Sequence, residues 1–122
     1  MREPIKDRVR LEHMISAINR ILDFMTGRSF DDLPKDKIEY YGIVKNIEII
    51  GEAAYKLSSN FKCANNETPW SVIEKMRHVL VHDYYQIDKD EVKYAIEDDL
   101  LPLREQIEKY LTQTDWNEWE NK

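Results

Sequence analysis

Arg77, His78, His82 and Tyr84 fall within eight residues of one another, in the run Arg77-His78-Val79-Leu80-Val81-His82-Asp83-Tyr84. The run gathers a permanent cation, two imidazoles that exchange protons near neutral pH, and a phenol. Such a set suits chemistry on a phosphate. A neutral imidazole could take the proton from a ribose 2′-hydroxyl, and a protonated one could return a proton to the departing 5′-oxygen. A guanidinium fork would stabilise the extra negative charge on the phosphorus-centred transition state. This route requires no metal and ends in a cyclic phosphate.

Spacing limits how these groups can meet. On an ideal helix, residues five apart project about 140° apart, so Arg77 and His82 would not lie side by side on one regular helix. Either the helix ends or distorts between them, or a two-fold dimer brings two copies of each into one cleft. The plainer reading is a solvated helix face. Glu74, His78 and His82 also share a face at four-residue steps, which would suit a transition metal. No second His/Cys cluster supports that reading, since His13 and Cys63 are isolated, and no metal is expected. Tyr84 and Tyr85 read either as core or as modification targets beside the cluster.

The elements that must position this cluster are legible from apolar periodicity. Leu11, Met14, Ile15, Ile18, Ile21, Leu22 and Met25 mark one buried helix face, with Gly27 as its C-terminal stop. Asp31, Asp32 and Pro34 suit a loop leading into a second helix from about residue 37 to 57, with Ile38, Tyr41, Ile49, Ala53 and Leu57 among its apolar positions. Inside that helix Gly51 costs about 1 kcal/mol relative to Ala, a cost that is tolerable where another backbone approaches closely. Glu52 would then lie near the packed face, paired with Arg77, or be solvated. Residues 58 to 69 are polar and read as a connecting loop. A third helix starts near Trp70, with Ile73, Met76, Leu80 and Tyr84 in step. After a break at Gln86-Ile87-Asp88, a fourth carries Val92, Ile96, Leu100, Leu103, Ile107 and Leu111. Pro102 falls within it and predicts a kink or restart. Beyond about residue 112, Trp116 and Trp119 among polar residues are read as a frayed end or a segment that docks on a partner.

No segment alternates at period two, so the expectation is one all-α domain over residues 1–122, a bundle with most neighbours antiparallel. With 122 residues and 42% hydrophobic side chains, the chain is long enough for a core of its own. A formal charge of −6 argues against a broad basic surface for nucleic acid, so any RNA contact would need a local patch. Arg2, Lys6, Arg8 and Arg10 form one candidate, and the surroundings of Arg77 the other. The lone Cys63 excludes an internal disulfide, and the absence of a signal peptide or long apolar span gives a cytoplasmic expectation with no membrane contact.

The run from Arg77 to Tyr84 resembles the R-x-x-x-x-H-x-Y motif of HepT-like toxins, within the HEPN superfamily of helical ribonucleases, and His78 matches the polar residue that follows the Arg. Asp7-Arg8-Val9-Arg10-Leu11 is similar to the family's opening helix, and Ile49-Ile50-Gly51-Glu52-Ala53 to its second-helix signature. Pro69-Trp70, Ile87-Asp88 and Asp99-Leu100 to Leu103 also fit, so the resemblance runs in order across residues 7 to 110. It implies a dimerising up-and-down bundle of four or five helices. It implies metal-independent RNA cleavage without a cofactor, with Arg77 and His82 catalytic and His78 and Glu52 in support. It also implies the toxin half of a type II or type VII-like toxin–antitoxin system. The antitoxin would be an MntA-like nucleotidyltransferase that transfers AMP to Tyr84, beside which Tyr85 offers a second phenol. A rival reading is a non-catalytic subunit that presents nucleotide or protein surface to such a nucleotidyltransferase.

Overall fold

Leu11, Met14, Ala17, Ile18 and Ile21 recur at three- and four-residue steps and are all buried, which fixes the inner face of helix α1, Asp7–Met25. The computed structural model describes residues 6–34, 37–78 and 89–120. Gly27 ends α1 with a φ of 75°, the left-handed conformation that glycine adopts without a Cβ penalty. Phe30, in a short 3₁₀ turn, then inserts into the core against Tyr40, with ring centroids 6.0 Å apart.

Helix α2, Ile38–Lys56, packs along α1. The pairs Arg20–Asn46 and Asp7–Ser58 show that the two run antiparallel. Its buried face is Tyr40, Ile43, Val44, Ile47, Ile50, Gly51, Ala53 and Ala54. Two positions expected on that face fall outside it: Ile38 is 80% exposed and Tyr41 39%. The stripe is set by the i, i+3, i+4 series from Tyr40, which Ile38 and Tyr41 do not join.

The segment read as a loop after α2 contains a helix, α3, Ser59–Ala64. Ser58 caps it, accepting a hydrogen bond from the Phe61 N–H at 3.1 Å. Six residues carry too little periodicity to announce a helix, but Phe61 is fully buried and organises its surroundings. Helix α4, Trp70–Glu74, tightens at once into a 3₁₀ turn, Lys75–His78, held down by buried Ile73 and Met76. Leu80, Tyr84 and the break at residues 86–88 lie outside the described residues.

The fourth apolar series divides into α5, Lys89–Tyr94, a π-helical turn, Ala95–Asp99, and α6, Leu100–Gln113. The restart expected near Pro102 is therefore present. Proline has no N–H and its ring crowds the preceding turn, so the widened turn lies immediately before it. Arg104 reaches Asn19 across the α1–α6 contact, and Thr68, just before α4, meets Gln106 and Tyr110 of α6. The expected all-α up-and-down bundle is the observed fold, with no strand among the described residues.

The tail does not fray among the described residues. Helix α7, Trp116–Glu120, folds back so that Trp116 stacks on Phe61 and Trp119 meets the same ring edge-on. The Trp119 indole N–H donates to Asp7, which also accepts from the Ser58 backbone N–H and hydroxyl. The docking partner of this tail is thus the chain's own α3 and the start of α1. No helix of the described residues is long and apolar enough to cross a membrane.

Candidate active site

Gly51 brings the Arg77 segment against α2. A Cβ at Gly51 would lie 2.2 Å from the Arg77 backbone nitrogen and 2.7 Å from the Met76 carbonyl carbon. The mid-helix glycine is therefore spent on a backbone-to-backbone approach, as its position in the sequence suggested. Met76 anchors the segment in the core, and the 3₁₀ turn directs Arg77 back across α2.

One helical turn beyond Gly51, Tyr55 receives the side chain. The Arg77 guanidinium carbon stands 3.5 Å from the centre of the Tyr55 ring. A cation over an aromatic face is stabilised by about 0.5–1 kcal/mol at exposed sites and more when desolvated. Arg77 Nε donates to His78 Nε2 at 3.2 Å, an arrangement that needs the lone pair of a neutral imidazole. Arg77 Nη1 is buried without a hydrogen-bond partner, and no carboxylate pairs with Arg77 among the described residues.

Glu52, expected beside Arg77, is instead exposed and pairs with Lys56 at 3.2 Å, one turn along its own helix. Glu74 turns toward Lys62, at 2.8 Å, rather than joining His78. Among the described residues no group of three His, Cys, Asp or Glu is placed to hold a metal ion. His82, Tyr84 and Tyr85 lie outside the described residues.

Two residues of this neighbourhood were not singled out from the sequence. Tyr55 had a signal, its i+4 spacing from Gly51, but a tyrosine at helical spacing reads first as core. Lys62 had none. Its ammonium donates to the Tyr55 backbone carbonyl at 3.3 Å and to Glu74 at 2.8 Å, bracing the end of α2 against α4. The chemical character of the site is thus a guanidinium oriented by a ring, flanked by an imidazole, and not neutralised by a described acid. Such a group is suited to an anionic ligand.

Sequence comparison decides the family. The profile described as "Ribonuclease HepT-like" matches residues 14–110. The chain belongs to the HepT-like ribonuclease family. It is 31% identical over 99 residues to "Probable ribonuclease HepT" of Thermococcus cleftensis, covering 81% of this chain and 90% of that one. It is 30% identical over 101 residues to "Putative RNase TTE0752" of Caldanaerobacter subterraneus subsp. tengcongensis, covering 83% and 90%. A third match is the "Gamma-glutamylcyclotransferase and putative RNase MJ0434" of Methanocaldococcus jannaschii, 29% identical over 117 residues. That match takes in 96% of this chain but 52% of the relative, so the chain spans about half of that protein's length. No solved structure matches significantly.

Proposed function

We propose that this HepT-like chain is a metal-independent endoribonuclease and the toxin of a toxin–antitoxin pair, acting through Arg77 and His82 in the cleft of a homodimer. The observation that carries the reading is the Arg77 guanidinium, docked at Gly51, laid over Tyr55 and unpaired with any described carboxylate. In this mechanism neutral His82 takes the proton of a ribose 2′-hydroxyl, and the 2′-oxygen attacks the adjacent phosphorus. The bond from phosphorus to the 5′-oxygen breaks, a protonated imidazole supplies that oxygen's proton, and a 2′,3′-cyclic phosphate remains. Arg77 stabilises the charge that accumulates on the non-bridging oxygens. His78 supports Arg77 from its Nε side. In the proposed dimer, two-fold symmetry gathers two copies of each residue into one cleft.

An MntA-like nucleotidyltransferase is the proposed antitoxin, transferring AMP to Tyr84. A bulky anion there would fill the cleft and compete for Arg77. The formal charge of −6 confines RNA contact to a local cationic patch and is the observation that favours the rival, a non-catalytic binding subunit. The Trp116 and Trp119 pair no longer supports that rival, because both rings pack on Phe61.

The test is RNA cleavage in EDTA by protein produced without its partner, its tyrosines shown bare by intact mass, alongside His82→Ala. Cleavage ending in cyclic phosphate, lost by about 10²–10⁴-fold in the variant as expected for removing a general base or acid, supports the assignment. Unchanged cleavage by His82→Ala removes His82 from the mechanism, and no cleavage of any RNA class by either protein transfers the case to the binding subunit.

A further inference from the structure

We infer that Tyr55 is a positioning residue for Arg77, seating the guanidinium over its ring so that the edge left open by His78 and by burial faces a phosphate. The kinetic half of this inference rests on the ribonuclease reading above; the placement of Arg77 does not.

An arginine is most simply fixed by a carboxylate, but a carboxylate occupies the same in-plane donors that a phosphate needs and cancels the charge. A ring face works differently. It contacts the guanidinium from above its plane, and the five N–H groups all lie within that plane. Of these, Nε–H is used by His78 and Nη1 is closed off from solvent, so the inference places the phosphate at the Nη2 edge. The two acids nearest in sequence along these elements are diverted to lysines, Glu52 to Lys56 and Glu74 to Lys62. The site thus keeps its cation oriented yet uncompensated among the described residues. Lys62 holds the Tyr55 carbonyl, so the ring stands on a braced helix end. Tyr55 is 51% exposed, so its side chain is not buried for the sake of the core. Its hydroxyl has no part in the argument; the ring does.

The experiment compares wild type, Tyr55→Phe and Tyr55→Leu in the full chain, with folding checked by circular dichroism. The first readout is the Arg77 Nε–Hε resonance, assigned by its loss in Arg77→Lys and displaced in wild type by the Tyr55 ring current. Its response to added inorganic phosphate is followed as well. The second readout is kcat and KM for a short RNA. Tyr55→Leu is expected to return the resonance to the ordinary arginine position and weaken its phosphate response. It should also lower kcat by about 10- to 100-fold, the scale of a modest misplacement of a catalytic group, with KM changed far less. Tyr55→Phe should keep the resonance, the phosphate response and kcat near wild type. An Arg77 resonance unmoved in Tyr55→Leu overturns the inference, and so does Tyr55→Phe failing alongside Tyr55→Leu. If wild type does not cleave RNA, the ribonuclease reading falls, and the Arg77 resonance with its phosphate response alone decides for or against Tyr55.

Discussion

A methyl group added at Gly51 would meet two backbone atoms, Arg77 N and the Met76 carbonyl carbon, neither of which can swing aside. At Gly42, on the same helix, an added Cβ would meet nothing within 4 Å. The two glycines therefore predict opposite outcomes for one substitution. Gly42→Ala should stabilise by about 0.5–1 kcal/mol through helix propensity alone. Gly51→Ala gains the same propensity but forces α2 and the 3₁₀ turn apart, and overpacking of this kind costs about 1–3 kcal/mol. Denaturant midpoints should thus rise for Gly42→Ala and fall for Gly51→Ala, with RNA cleavage impaired only in the latter. The role of Gly51 was legible because a mid-helix glycine carries a cost that asks for a reason. The Glu52–Arg77 pair was not realised because Lys56 offers Glu52 a partner at i+4, available without any tertiary arrangement. Tyr55 escaped notice for the converse reason: its partner is remote in sequence, and its i+4 spacing from Gly51 reads first as a core position.

The elements differ in how plainly their sequences announce them. Helices α1 and α2 are 19 residues each, long enough for a stripe to repeat several times. Helix α3 has six residues and α7 five, and their signals were a capping serine and two tryptophans rather than a period. Pro102 foretold the restart of α6, although not that the preceding turn would widen into a π-helical one. That turn ends at Asp99, which lines an apolar groove with Ile47, Val72, Met76 and Val92. Burial, aided by the neighbouring Asp98, raises the proton affinity of the Asp99 carboxyl. A carboxyl whose folded pKa is raised stabilises fully below its unfolded pKa, and that contribution is lost as the pH climbs through the folded value. At neutral pH the ionised Asp99 therefore opposes folding. Asp99→Asn should be more stable than wild type near pH 7 in chemical denaturation, and the difference should shrink as the pH falls to about 4, the ordinary carboxylate range.

For the whole molecule, an all-α bundle followed from the apolar series and the scarcity of turn residues. Its C-terminal closure did not. Tryptophans on a polar segment look the same whether they await a partner or a groove in their own chain, and the groove here is built around Phe61, inside what read as loop. The Asp7–Ser58–Trp119 junction has a further consequence in the order of events during folding. Trp119 and Asp7 are 112 residues apart, whereas α1 and α2 are consecutive and packed against each other. Closing the longer loop costs more chain entropy than closing the short one between α1 and α2, so local packing should precede it and the junction should form after the rate-limiting step. Interactions absent from the transition state act on the escape from the native state. Trp119→Phe, which keeps a ring and removes the N–H donated to a carboxylate, should cost about 1.5–3 kcal/mol. In stopped-flow measurements nearly all of that loss should appear as faster unfolding, with the refolding arm superimposed on wild type. The last helix would then govern how long the ribonuclease-family fold persists, and have little say in how quickly it is reached.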